Sequence, residues 1–135
     1  MKITGGCHCG AIRYEAEVDP GRVAICHCTD CQTLSGTAYR VVVPVNPGSF
    51  KLLAGEPKVY LKTAETGRQR TQTFCANCGT PIYSADPTNT KQHSLRVGTV
   101  RERAQLVPKR QIWCRSALSW VWGVGTLERI ETQDF

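Results

Sequence analysis

Ala11-Ile12-Arg13-Tyr14-Glu15-Ala16-Glu17-Val18-Asp19-Pro20-Gly21-Arg22-Val23-Ala24-Ile25-Cys26 is the stretch on which the fold reading turns. Ile12, Tyr14, Ala16 and Val18 alternate with Arg13, Glu15 and Glu17. That period of two puts one face of a strand in a core and the other in water. Asp19-Pro20-Gly21 is a turn, and Val23 and Ile25 lead a second strand into Cys26. Residues 11–26 therefore read as a hairpin. Outward from it the pattern persists. Tyr39–Val45 is a β-branched run broken by Pro44 and followed by Pro47. Further strands are expected at Phe50–Leu53, Val59–Lys62, Gln69–Phe74, Pro81–Ser84, Leu95–Val100, Arg110–Cys114 and Leu127–Ile130. The one helical turn expected is Thr29–Leu34, with Thr29 as its N-cap and Gly36 ending it. Leu118–Val124 is apolar but holds Trp120, Trp122 and Gly123, and takes no assignment. Many short strands with frequent turns read as an all-β fold. The 135 residues suit one domain, 1–135, with no linker or low-complexity tract.

Apolar residues make up 41% and charged residues 21%, a composition that excludes a disordered tail. No run approaches the ~20 apolar residues of a membrane span, and Met1–Gly6 lacks the apolar core of a secretory signal. A cytoplasmic address is the expectation. There, cysteine clusters bind metal or do redox chemistry more often than they form disulfides. Seven of the eight cysteines fall in three groups: Cys7-His8-Cys9, Cys26-His27-Cys28-Thr29-Asp30-Cys31 and Cys75-Ala76-Asn77-Cys78. Cys114 stands apart and reads as a buried small hydrophobe.

In a strand, residues i and i+2 share a face. Cys7 and Cys9 can thus aim at one ion, as can Cys26 and Cys28, with His8 and His27 pointing away. Cys75-x-x-Cys78-Gly79 is a tight turn in which Gly79 permits a positive φ and frees backbone N–H groups for the sulfurs. Thiolates favour zinc over Mg²⁺ or Ca²⁺. Four thiolates close a structural site; three leave a position for water or substrate. Spacing leaves three divisions open. Cys7, Cys9, Cys75 and Cys78 can join, leaving Cys26, Cys28 and Cys31; the two C-x-x-C pairs can join, leaving Cys7, Cys9 and Cys26; or all eight can bind, with Cys114 closing the second site. The compactness of 26–31 favours the first.

The net charge is +6, and the segment from Lys91 to Arg115 holds seven basic residues against the single acid Glu102. Such a segment is either a solvated face or an electropositive wall that attracts an anion.

Taken together, Gly6-Cys7-His8-Cys9-Gly10 with Ile12 and Tyr14, Cys26-His27-Cys28-Thr29-Asp30-Cys31-Gln32 with Ser35-Gly36, and Phe74-Cys75-Ala76-Asn77-Cys78-Gly79-Thr80 resemble the glutathione-dependent formaldehyde-activating (GFA) family, which includes centromere protein V. Order, spacing and flanking glycines all match. The resemblance implies bent antiparallel sheets, beta-tent-like, around two zinc ions. By motif, Cys7, Cys9, Cys75 and Cys78 would hold a structural zinc, and Cys26, Cys28 and Cys31 a catalytic one. It implies a carbon–sulfur lyase or condensing enzyme acting on a thiol, glutathione or similar, and a small aldehyde such as formaldehyde. His27 and Asp30, beside the ligands, are the first candidates for a general base. Three positions depart from the family pattern: Thr33 and Gln72, where basic residues are expected, and Gln111-Ile112-Trp113-Cys114, where a His is common before the aromatic strand. The first two bear on anion binding.

Two other function classes compete. A zinc-stapled module could bind an anionic partner such as nucleic acid, or a protein, through the basic segment and Trp113, although no aromatic–basic interleaving or recognition helix is visible. A redox protein would carry free low-pKa thiols at Cys28 and Cys31. Membrane association is not expected, and the chain reads as a monomer or a homodimer.

Overall fold

The computed structural model describes residues 1–133 and is mostly β. Three strands, β1 (Lys2–Gly6), β2 (Arg13–Glu17) and β5 (Lys51–Ala54), form a small antiparallel sheet in the order β1-β2-β5. The remaining strands are β3 (Ala24–Cys26), β4 (Arg40–Pro44), β6 (Lys58–Thr63), β7 (Gln69–Phe74), β8 (Pro81–Asp86), β9 (Asn89–Arg96) and β10 (Arg110–Ile112). They form a seven-stranded sheet in the order β10-β3-β4-β9-β8-β7-β6. Every pairing is antiparallel except β10 on β3, which is parallel, with Ile112 opposite Cys26.

The alternation read from residues 12–18 sets the core. Ile12, Tyr14, Ala16 and Val18 are all buried, and with Ile3 they pack on Val43, Val45, Ile82, Leu95, Val97 and Val100. Isolated bridges from Gly5 to Val100 and from Val18 to Val45 tie the two sheets together. Gly5 is required at the first: a Cβ there would lie 2.4 Å from Tyr14 Oη and 2.6 Å from the Thr99 carbonyl oxygen.

The hairpin expected over 11–26 does not form. β2 pairs with β1 and β5, and β3 pairs with β4 and β10. Asp19-Pro20-Gly21 does turn the chain, as a 3-10 turn (Pro20–Arg22) with Asp19 Oδ1 accepting from the Gly21 amide at 2.8 Å. It carries the chain from one sheet to the other. Alternation fixes which face of a strand is buried but not which strand lies beside it, and β4 supplied a better partner for β3.

Other differences are local. β1 is an additional strand, and β9 begins well before Leu95, its polar first residues giving no apolar period to read; Val97–Thr99 closes as a 3-10 turn. Leu118–Val124 falls in a 3-10 segment, Ser119–Thr126, and Leu127–Ile130 is not a strand. The helix α1 (Thr29–Ser35) exists, but Cys28 is its N-cap rather than Thr29, its Sγ accepting from the Cys31 amide at 3.2 Å. Gly36, at φ 70°, ends it. Among the described residues no helix is long and apolar enough to cross a membrane.

Candidate metal centres and the adjoining cleft

Two sulfur clusters come together. In the first, Cys7, Cys9, Cys75 and Cys78 place all four Sγ atoms within 4.8 Å of one another. Cys7 and Cys9 lie in the turn after β1, not in a strand as the i, i+2 reading supposed: the Gly10 amide donates to the Cys7 carbonyl at 3.2 Å. The turn nevertheless brings Cys7 Sγ to 3.6 Å from Cys9 Sγ. Cys75 and Cys78 sit between β7 and β8, where the Gly79 amide donates to the Cys75 carbonyl at 2.9 Å and Gly79 takes a φ of 78°. Cys9 Sγ is 3.8 Å from Cys75 Sγ. Four sulfurs around a tetrahedral zinc at the usual Zn–S distance of ~2.3 Å stand about 3.8 Å apart, so the cluster fits such an ion.

Side-chain and backbone donors draw Cys9 and Cys78 toward negative charge, whereas Cys75 is raised, its backbone donors outweighed by burial and its neighbouring thiols. The Ile12 amide donates to Cys7 Sγ at 3.1 Å, and the Cys78 amide to Cys75 Sγ at 3.5 Å. Thr80 Oγ1 lies 3.1 Å from Cys78 Sγ. Its hydroxyl, with the Thr80 and Cys9 backbone, draws the Cys78 thiol down to about 5. The Asn77 side chain, then the Ala11 backbone, lowers Cys9. Hydrogen bonds to the charged form favour that form.

The second cluster is Cys26, Cys28 and Cys31, again within 4.8 Å. Cys26 ends β3, Cys28 follows in extended backbone, and Cys31 lies in the first turn of α1. The closeness of the Cys26 and Cys31 side chains lowers Cys26 and, with burial, raises Cys31. Burial also raises Cys28. Three soft donors converging in this way fit a zinc ion with one position to spare. The structure thus brings together the first of the three divisions of the cysteines. Cys114 belongs to neither cluster, and it is exposed, not buried as expected.

His27 points away from the sulfurs into packing. It is 1% exposed, its Nε2 lies 2.7 Å from Gln111 Oε1, and its ring stands 5.5 Å from Tyr39 and 5.4 Å from Trp122. Asp30 instead faces a cavity of about 380 Å³ that also touches Cys28, Glu65, Trp113 and Ser116, and it pairs with Lys62 at 2.8 Å. Trp113 adopts φ 57°, the one non-glycine in left-handed backbone among the described residues. Such strain gathers at functional sites. Here it turns the chain from β10 into the 3-10 turn Cys114–Ser116 along this cavity.

A second cavity, of about 310 Å³, adjoins along the same face of β6: Tyr60 lines this one and Lys62 the first. Its interior holds Arg40, Gln72 and Arg96. The basic segment does not form one wall. Arg96 is buried here, Arg101 and Arg103 border a separate hollow beside Cys7, and Arg115 pairs with Glu65 at 3.1 Å. Arg40, unnoticed in the β-branched run, is the partner of Arg96. The structure sets it opposite Cys26 across the β3–β4 pairing, which no local sequence signal announces.

A sequence model described as "Glutathione-dependent formaldehyde-activating enzyme" matches residues 2–116. The fold is similar to a crystal structure of a Rhodobacter sphaeroides protein solved as a structural-genomics target. That likeness has a TM-score of 0.61 at 19% identity and covers 80% of this chain and 98% of the other.

Proposed function

The chain belongs to the glutathione-dependent formaldehyde-activating enzyme family, and on that premise we propose that it is a carbon–sulfur lyase or condensing enzyme. It joins a small thiol, glutathione or a relative, to formaldehyde or a similar aldehyde, and runs the reverse cleavage. A sulfur–carbon bond forms as the carbonyl π bond breaks. The thiol proton finishes on the former carbonyl oxygen, and nothing is oxidised or reduced.

In this reading Cys7, Cys9, Cys75 and Cys78 cage a structural zinc, and Cys26, Cys28 and Cys31 hold a catalytic zinc. A zinc ion bound by those three would supply a positive charge that keeps a thiol deprotonated and polarises an aldehyde carbonyl. The chain does the rest. Lys62 holds Asp30 at the mouth of the cavity beside Cys28, where that carboxylate can carry the thiol proton. His27, fully buried and engaged with Gln111, has no path to the reactants and acts as a support for Cys26 and Cys28. Trp113 walls the cavity and limits water.

The observation that carries this reading is the trio of sulfurs with Cys28 opening onto a cavity of about 380 Å³. Exchange NMR of glutathione with formaldehyde, catalysed over the spontaneous rate, tests it. Zinc-loaded wild type should accelerate exchange, Cys28→Ala should not, and Cys114→Ala should match wild type. Exchange at the buffer rate with fully loaded wild type overturns the proposal.

A further inference from the structure

Two arginines lie buried side by side behind the second cluster with almost nothing to pair them. Arg40 on β4 and Arg96 on β9 are 6% and 8% exposed. Both turn to one neutral oxygen: Gln72 Oε1 accepts from Arg96 Nη2 at 2.6 Å and from Arg40 Nη1 at 3.5 Å. Arg40 Nε and Nη2 and Arg96 Nε are buried without a partner. The ion pairs found among the described residues are Lys62–Asp30, Arg68–Asp86 and Arg115–Glu65, so neither arginine meets a carboxylate. Neither hydrogen-bonds to a sulfur among the described residues.

Burying a guanidinium without a counter-charge is costly. Burial lowers Arg40, against which any negative charge on Cys31, Cys28 and Cys26 would act, and burial followed by the Arg40 charge draws Arg96 down to about 9. Simple compensation of the sulfurs is nevertheless insufficient. Three thiolates with a divalent ion carry one negative charge, and the arginines carry two positive ones. One positive charge remains, and three N–H donors stay buried and unpaired on two side chains that line a cavity of about 310 Å³ walled by Leu34, Tyr60, Phe74, Pro81 and Tyr83. Guanidinium forks match the two oxygens of a carboxylate, and before a reactant thiolate joins the cluster a single carboxylate balances the charge.

We infer that the Arg40–Gln72–Arg96 cavity is the seat of a carboxylate carried by one of the reactants of the three-cysteine site. That the carboxylate belongs to a reactant rests on the thiol–aldehyde reading above; that a carboxylate binds here does not. It arrives either on the thiol, as in glutathione, or on an oxo acid such as glyoxylate.

Calorimetric titration of zinc-loaded protein with glutathione, glyoxylate and neutral 2-mercaptoethanol tests it. At least one carboxylate should bind wild type and lose roughly 10- to 100-fold in affinity in Arg96→Met and in Gln72→Glu, while 2-mercaptoethanol is unaffected. Whichever carboxylate shows the loss is the source. Gln72→Glu places a carboxylate between the arginines from within, so it should fold with a raised Tm and compete the ligand out. This keeps the test decisive if Arg96→Met does not fold. If neither carboxylate binds wild type, or if Gln72→Glu binds as wild type does, the inference fails, whatever the turnover. Carboxylate binding that depends on Gln72, with no turnover of any thiol–aldehyde pair, would uphold the seat and overturn the proposed reaction.

Discussion

His27 Nε2 lies 2.7 Å from Gln111 Oε1, joining the segment between Cys26 and Cys28 to the parallel strand beside it. With the amide oxygen as acceptor, Nε2 carries the ring hydrogen, and Nδ1 is the buried, unpartnered nitrogen. The His27 amide also donates to the Ile112 carbonyl at 3.1 Å. β10 therefore braces the backbone that aims two of the three sulfurs.

Gln111→Leu leaves the His27 N–H buried and unsatisfied. We expect a loss of about 1–3 kcal/mol in denaturant unfolding, together with weaker metal retention at the three-cysteine cluster in a chelator competition. The four-cysteine cluster should retain its metal unchanged.

Metal analysis of purified protein should give two zinc ions per chain. Cys28→Ala should retain one ion and a native circular dichroism spectrum. Cys78→Ala should unfold, because caged zinc contributes on the order of 10 kcal/mol to small zinc-built domains.

Gly5→Ala should cost about 3 kcal/mol. Its new methyl meets the Tyr14 ring and the Thr99 carbonyl, and Tyr14 is wholly buried with its hydroxyl 2.8 Å from Thr99 Oγ1. Thermal unfolding at fixed zinc measures the loss.

His93 stacks on Phe50 with ring centroids 4.6 Å apart and lies edge-on to Tyr83 at 4.5 Å. Burial lowers its pKa. A histidine held neutral in the fold gives stability that is present above its unfolded pKa of about 6.5 and is lost as pH falls through the lower folded value. Wild type should therefore lose stability as pH drops from 7.5 toward 5.5, and His93→Phe should flatten that slope while staying within about 1 kcal/mol of wild type at pH 7.5. Asp86, drawn down to about 2 chiefly by the Thr88 hydroxyl, acts in a more acid window and does not interfere.

The three cysteine motifs were legible in the sequence because ligand chemistry tolerates few spacings, but spacing left three divisions of them open, and the family resemblance chose the one the structure forms. The strand alternation of Ile12, Tyr14, Ala16 and Val18 was legible for a similar reason, since burial leaves a period. Neighbours were not. The β3–β4 and β3–β10 pairings depend on which of several adequate strands packs best, and β9 hid behind the polar run Asn89-Thr90-Lys91-Gln92-His93-Ser94. Arg40 was hidden too: in Tyr39–Val45 the β-branched residues declare a strand, while the charge that faces inward carries no local mark.

The two clusters differ in the span of chain each needs. Cys26, Cys28 and Cys31 fall within one short segment, whereas Cys9 and Cys75 meet at 3.8 Å across 66 positions of sequence. If the trio binds metal as proposed, it can do so during synthesis once Cys31 has emerged, before Cys75 and Cys78 leave the ribosome. The cage must wait for Cys78, and its closure then acts as a late clasp that removes the loop entropy of the intervening chain in a single step. Zinc starvation during translation should accordingly leave partly metallated chains whose ends are unjoined, prey for proteases at the segments the clasp would have drawn in.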